Sequence, residues 1–258
     1  MATHIGKALH KAGIKILQVY SPTAANAKVL AKKLKAAHTA TITEIQTSAD
    51  IIIISIKDDA LAAFCKKAKF GTTLTVHTSG TADMDLLKAC SKNYGVLYPF
   101  QTFTKNVRMK MKDVPFCVEG NNEDSLQKIK KLATALSNNV YQISGEQRPW
   151  LHIMGIFSSN FTNLMFKVAH QLAAEHNIPF EIVFPLISQT VNKVKYLPPA
   201  HAQTGPAVRG DAAVVLKHLE MLANTPQLHE LYKINTLAIN PILKNTAMLI
   251  TQGRKKKK

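Results

Sequence analysis

Residues 49–64 read ADIIIISIKDDALAAF, and Ile51 to Ile54 form an apolar run without a single alternating polar residue. Such a run is too short to cross a membrane, and it predicts a strand buried on both faces. That is the position of a central parallel strand with helices on either side. Ser55 ends the run, Lys57-Asp58-Asp59 opens a polar turn, and Asp58 or Asp59 is placed to cap the helix LAAFCKKA. The unit is strand, loop, helix, with its polar loop at the carboxyl end of the strand, the edge where open α/β sheets bind ligands.

The same alternation runs through the first 145 residues. Ala2–Lys11 reads as a helix ended by Gly13, Ile14–Tyr20 as a strand and Thr23–Lys35 as a basic helix. Thr73–His77 is a strand, Asp83 caps a short helix through Cys90, and Gly95–Tyr98 is a strand running into Pro99-Phe100-Gln101-Thr102-Phe103. Pro115–Glu119, Asn122–Leu136 and Val140–Ile143 continue as strand, helix and strand. Strands separated by helices predict right-handed crossovers and a parallel, Rossmann-like sheet.

After Gly145 the period changes. Ile153, Phe157, Phe161, Leu164, Val168 and Leu172 recur every three or four residues, which predicts one long amphipathic helix. A second helix is expected over Phe180–Leu197 with a kink at Pro185. A Pro/Gly-bearing loop, LPPAHAQTGPAVRGD, leads to a helix capped by Asp211 and a last one over Gln227–Ala238. The expected organisation is therefore a sheet domain over 1–145, an all-α domain over 146–240 and a disordered basic tail over 241–258.

Composition narrows the class. No apolar run approaches ~20 residues, so no membrane span is expected. Cys65, Cys90 and Cys117 are odd in number and lack CxxC spacing, which points to reduced thiols, a cytoplasmic setting and no metal site. The net charge is +17, and five of the positive charges lie in Arg254–Lys258. The remaining lysines are scattered over helices, the pattern of solvated faces rather than a nucleic-acid groove, so nucleic acid is not the expected partner.

A dinucleotide-binding sheet normally opens with a strand, a GxGxxG loop and a helix, the loop amides holding the pyrophosphate. Here the helix and second strand are present, and Met1 stands where the loop would be finishing. The lost strand would be the middle one, leaving its neighbours with open edges. Two explanations compete: a start assigned about ten residues late, the length of a strand and tight turn, which is the favoured one, or a relative that has lost nucleotide binding.

The segments ATHIGKALHKAG, QVYS, ADIIIISIKDDAL, VHTSG, YPFQTF, EQRPWLHIMGIFSSNFTN and QTGPAVRGD resemble the Rossmann-like proteins with a DUF2520 C-terminal domain. These are distant relatives of pyrroline-5-carboxylate reductase, described as NADP oxidoreductases. The resemblance spans about residues 2–235 and implies a nicotinamide cofactor, NADP or NAD, with a small carbonyl or imine acid reduced in a cleft between domains. Relatives often carry a basic residue after the Tyr-Ser pair to grip the 2′-phosphate of NADP, whereas this chain has Pro22, with Ser21, Thr23 and Lys28 nearby. The alternative reading is a non-catalytic nucleotide or metabolite sensor that lacks the glycine loop.

On that resemblance the cofactor is expected along Tyr20, Ser21, Lys57, Asp58, His77, Ser79 and Gly80. Helix capping by Asp58 and simple structural hydrogen bonding by His77 are the plain alternatives. Gln101 and Thr102, set between aromatic residues, suit a small substrate pocket, or else an aromatic plug between domains. On the long helix, His152, Ile156, Ser159, Asn163 and Lys167 fall on one face with Asn160 beside it. His152 is the expected proton donor, because general acid work needs a group of near-neutral pKa, and Asn160 would orient substrate. Thr204 and Gly205 form a rigid turn with Pro206, and Arg209 offers a planar fork for a carboxylate or phosphate, unless it forms a structural bridge to a carboxylate. Trp150, Met154, Phe161 and Met165 form a second apolar strip, which together with the resemblance suggests a homodimer.

Overall fold

The computed structural model describes residues 1–104, 107 and 109–244. The chain divides into two compact units, 1–162 and 163–258. The sequence-based boundary near 145 marks the end of strand–helix alternation, whereas the compact sheet unit runs on because Leu151 packs against Val96, Tyr98 and Cys117.

The first unit is Rossmann-like α/β. It contains α1 (Ala2–Lys11), β1 (Gln18–Tyr20), α2 (Ala24–Leu34), β2 (Ala37–Thr39), β3 (Ile51–Ile54), α3 (Asp58–Lys67), β4 (Leu74–His77), β5 (Tyr94–Pro99), β6 (Phe116–Gly120), α4 (Glu123–Leu136), β7 (Val140–Gln142) and α5 (Gln147–Gly155). The sheet is in two pieces, a parallel β1-β2 pair and a five-stranded sheet of order β3-β4-β5-β6-β7. β3 pairs with β4 in parallel, Ile51 opposite Leu74, as does β4 with β5. β6 runs antiparallel to β5, Tyr98 opposite Cys117, which corrects the all-parallel expectation. The reason is the connection: among its described residues the link from β5 to β6 holds one 3₁₀ turn (Met111–Asp113) and no crossover helix, and a parallel pair needs a crossover.

Both faces of β3 are covered, as alternation requires. Ile51 and Ile53 pack on one cluster with Ile5, Leu9, Val76, Leu97, Phe116 and Ile129. Ile52 and Ile54 pack on another with Leu61, Cys65, Phe70 and Leu87. β3 is nevertheless not central: it is an edge strand of its sheet, so Ile51, Ile52 and Ile53 stay half-buried.

Local capping chemistry is mixed. Asn122 accepts from the Ser125 amide (2.8 Å) at the start of α4, and Asp83 accepts from the Asp85 amide (2.9 Å) at the 3₁₀ turn Met84–Ala89. α3 has no side-chain cap; the Asp58 carboxylate serves the neighbouring β4 turn instead.

The second unit is all-α: α6 (Thr162–Glu175, whose first residue closes the sheet unit), α7 (Phe184–Lys193), the single turns α8 (Pro199–Ala202) and α9 (Pro206–Arg209), α10 (Ala212–Met221) and α11 (Pro226–Ile239). α5 and α6 are joined by a π-helical turn, Ile156–Phe161. The helix is therefore not continuous α-helix through Ile156–Phe161, where the three-to-four-residue spacing is interrupted. The helix expected over Phe180–Leu197 is a 3₁₀ turn, Phe180–Val183, followed by α7, and Pro185 lies in the first turn of α7, where proline is tolerated. Ile153, Phe157, Phe161 and Leu164, expected to form a core face, are exposed. Residues 241–244 of the expected tail are structured: Asn240 caps a 3₁₀ turn, and Leu243 is buried with Ala207, Val215 and Leu219. Residues 245–258 of that tail lie outside the described residues.

Candidate active site at the carboxyl edge of the sheet

The ends of β3, β4 and β5 deliver one polar cluster. Asp58, the first residue of α3, accepts from the hydroxyls of Ser79 and Thr81, both at 2.6 Å. Ser79 Oγ in turn accepts from the amides of Thr81 (3.1 Å) and Ala82 (2.9 Å). One carboxylate thus shapes the turn that follows β4.

His77, the last residue of β4, is fully buried. The Ser79 amide donates to its Nδ1 (3.2 Å), which places the ring proton on Nε2 in the neutral form. Burial, then the nearby Arg148 charge, lowers its pKa to about 4. His77, expected to donate to a cofactor or substrate or else to serve as structure, holds the Ser79 turn through Nδ1, while its buried Nε2 has no hydrogen-bond partner.

Gly80 lies where three elements meet. A Cβ built there would stand 2.6 Å from Tyr98 Cζ, 2.8 Å from Tyr98 Oη and 3.0 Å from His152 Nδ1. The glycine therefore lets the end of β5 and helix α5 close over the β4 turn. Across it, Tyr98 Oη and His152 Nδ1 are 3.4 Å apart. Tyr98 is buried, and desolvation pushes its pKa to about 12, so it carries its proton at neutral pH. Gly155 brings the helix equally close to Phe100, whose ring stacks edge-on with Tyr98 at 6.1 Å.

Arg148 holds α5 in place. Its side chain is buried and donates from Nη1 to Glu119 Oε2 (2.5 Å) on β6 and from Nη2 to the Ala82 carbonyl (2.7 Å). Glu119 also accepts from the Gly145 amide (2.7 Å). Helix α5, the β4 turn and β6 thereby share one buried charge network.

The remaining predicted residues are placed as follows. Tyr20, at the end of β1, packs on Phe64 with ring centroids 5.7 Å apart, and Ser21 Oγ accepts from the Thr23 amide. Lys57 is exposed at the start of α3. Gln101 and Thr102 are exposed and bond to each other, and Asn160 is exposed on the π turn. Thr204, Gly205 and Arg209 belong to the helical unit. Gly205 adopts φ 114°, which favours glycine. Arg209 donates from Nε (2.9 Å) and Nη2 (2.8 Å) to Asp211 Oδ2, so the carboxylate bridge is the observed arrangement, and Asp211 makes no cap bond to α10. Asp58, Ser79, Gly80 and His152 are brought together in the sheet unit; Gln101, Thr102 and Asn160 make no described bond to them. Sequence reasoning missed Tyr98, read only as part of an aromatic segment, and Arg148. The signal for Tyr98 was its place at the carboxyl end of a strand.

The strand ends present hydroxyl and carboxylate groups of the kind that hydrogen-bond a ribose; among the described residues no glycine-rich turn stands ready for a pyrophosphate. Sheet, edge and helical domain together define a Rossmann-like protein with an all-α C-terminal domain. Residues 114–239 match the model of a domain of unknown function, DUF2520. A Bacteroides fragilis protein, described by its crystal structure as a "putative NADP oxidoreductase", is 39% identical, with 93% of this chain and 94% of that one covered at a TM-score of 0.84. The chain belongs to the family of that protein and carries the DUF2520 domain over residues 114–239. The same fold recurs in 1-pyrroline-5-carboxylate reductase from Streptococcus pyogenes (14% identical, 93% and 95% covered, TM-score 0.63). It recurs again in an imine reductase from Myxococcus stipitatus in complex with NADP+ (14% identical, 95% and 91% covered, TM-score 0.68). No curated protein sequence matches the chain.

Proposed function

We propose that this protein is an NAD(P)-dependent oxidoreductase that reduces a small carbonyl or imine substrate. The observation that carries this is the Tyr98–His152 pair, held 3.4 Å apart across Gly80 at the ligand-binding edge of the sheet. The naming of the Bacteroides relative as an NADP oxidoreductase, and the NADP+ complex of the imine reductase, support the cofactor class. The cofactor would supply the hydride. Asp58, Ser79, Tyr20, Ser21 and Lys57 would bind and orient it. His152 would hand a proton to the substrate nitrogen or oxygen, and Tyr98, protonated at neutral pH, would hold the imidazole in place through its hydroxyl. Asn160, Gln101 and Thr102 would orient the substrate. Thr204, Gly205 and Arg209 form the helical unit's candidate grip for an acid group, which a substrate carboxylate would take over from Asp211.

The test is a thermal melt with NADPH and with NADH, followed by a screen of cyclic imines and keto acids monitored by loss of reduced nicotinamide. A cofactor-dependent rise in melting temperature supports the reading. A folded protein that neither responds to either nucleotide nor oxidises it with any of these substrates leaves the sensor alternative.

A homodimer belongs to the same proposal. Trp150, Met154 and Phe157 are 70%, 62% and 66% exposed, a continuous apolar strip on consecutive helical turns, and monomeric proteins rarely leave such patches open. Light scattering should give twice the chain mass, and Trp150→Glu with Phe157→Glu should halve it. The three free, buried cysteines suit a reducing cytoplasm, and no helix among the described residues is long and apolar enough to span a membrane.

A further inference from the structure

We infer that the cleft between α1, the chain leading into β6 and the end of α4 is a binding site for a small amphipathic anion, an apolar body carrying a phosphate or carboxylate head.

The cleft follows from the residue pattern of α1. Ile5 and Leu9, one turn apart, are buried on the sheet. On the flank of the helix, Ala8 and Ala12 are also one turn apart, and Lys7 and Lys11 stand beside them. Met109 and Met111, on the way into β6, pack against the same core as Ile5 and Leu9. Ala135 and Leu136 of α4 complete the lining. Short alanine side chains on both helices leave a space of about 1040 Å³.

The floor of this space is apolar. Ala8, Met109, Met111 and Ala135 are half-buried and Leu136 is buried. Methionine is a flexible, polarizable gap filler that adapts to what it contacts. Small-molecule sites are concave and mostly apolar, with volumes of about 300–1,000 Å³ and a few polar groups that orient the ligand. A protein partner calls for a broader face, about 800 Å² on each side. The cleft therefore has the size and lining of a ligand site.

The rim is cationic. Lys7, Lys11, Lys110 and Lys112 face one carboxylate, Asp113, in the lining. Lys112 Nζ donates to the Ala135 carbonyl (3.2 Å), which offsets the partial negative charge at the end of α4. His4, also in the lining, is engaged with the Thr104 carbonyl (3.2 Å). Lys7, Lys11 and Lys110 are exposed and join no ion pair among the described residues. An ammonium is a point charge that binds phosphate or carboxylate without demanding one geometry. An apolar body covers the methionines while its anionic head reaches the lysines; a bare anion or a neutral hydrocarbon satisfies only one part. None of the lining residues belongs to the cluster of Asp58, Ser79, Gly80, Tyr98 and His152, so the inference stands apart from the proposed reductase.

The test titrates octyl phosphate and octanoate into the full chain, beside octyltrimethylammonium and inorganic phosphate. Binding is read by calorimetry and by the methyl NMR signals of Met109 and Met111. At least one octyl anion is expected to shift both methyl signals saturably and to bind about tenfold or more tightly than the octyl cation or inorganic phosphate. The tighter of the two anions identifies the head, and added salt should weaken it. Lys7→Glu with Lys110→Glu, both at exposed positions, should weaken binding by about tenfold or more at an unchanged melting temperature. Ala12→Phe, which narrows the cleft from an exposed helix position, should weaken it without altering any charge. Four results overturn the inference. One is equal affinity for the octyl cation, which would leave the lysines without a role. Another is inorganic phosphate binding as tightly as octyl phosphate, an adventitious ion only. A third is unchanged affinity in either variant. The last is an acidic amphipathic peptide that displaces octyl phosphate at lower concentration, which would make the cleft a protein-docking groove.

Discussion

Arg148 on α5 and Glu119 on β6 form a buried ion pair, and the same guanidinium binds the Ala82 carbonyl beside the β4 turn. Two elements distant in sequence are thereby fixed against the turn that carries Ser79 and Gly80. Breaking a buried pair leaves the surviving charge unsatisfied. Arg148→Met should lower unfolding free energy by about 3 kcal/mol or more, read from urea denaturation midpoints. Arg148→Lys should recover little, because one ammonium does not reproduce the fork that reaches both Glu119 and Ala82. A midpoint within error of the parent would mean that the pair contributes no net stability.

Gly80→Ala tests the close approach at the candidate site. The added methyl would meet the Tyr98 ring at 2.6 Å and the His152 ring at 3.0 Å. Overpacking of this kind costs about 1–3 kcal/mol. The Tyr98–His152 contact should open, seen as changed NMR chemical shifts of both rings. Unchanged ring shifts would show that the three residues do not share that space.

His77 makes stability depend on pH. Its folded pKa, about 4, lies below the ordinary histidine value, so the unfolded chain binds the proton more readily. The contribution is complete above about pH 6.5, declines as pH falls towards 4, and is flat below that. The span amounts to about 3 kcal/mol. His77→Gln should flatten the stability profile between about pH 6.5 and 4; a parallel profile in the variant would assign that dependence to other groups.

Asp58→Ala removes the acceptor of both the Ser79 and Thr81 hydroxyls. Both groups lie near the surface, so the loss of global stability should be small, about 1 kcal/mol. The turn after β4 should lose its order, and NADPH affinity should fall by about tenfold if the strand-end cluster orients the cofactor. Equal affinity in Asp58→Ala and the parent would remove Asp58 from the binding site.

The elements themselves were legible in the sequence wherever pattern and punctuation agreed. Ile51–Ile54, the helical pattern over Asn122–Leu136 and the change of period after Gly145 each located an element and its type. Site residues were half legible. Ser79, Gly80, Asp58 and His152 stood out because they follow strands or lie on the long helix. His77 stood out equally, yet the fold closes it in. Tyr98 acquires its character from desolvation, which no local pattern announces.

The sequence by itself determined most of the strands and helices and the alternation of the two in the first half. Those features rest on local periodicity, capping and turn chemistry, which act over a few residues. Only the tertiary structure decided that β6 runs antiparallel, that Asp58 serves Ser79 and Thr81 rather than its own helix, that Arg209 is held by Asp211, and that a π turn interrupts the helix after His152. Each of these depends on competition between partners once the chain is compact, and the winner is set by geometry and burial rather than by spacing along the chain.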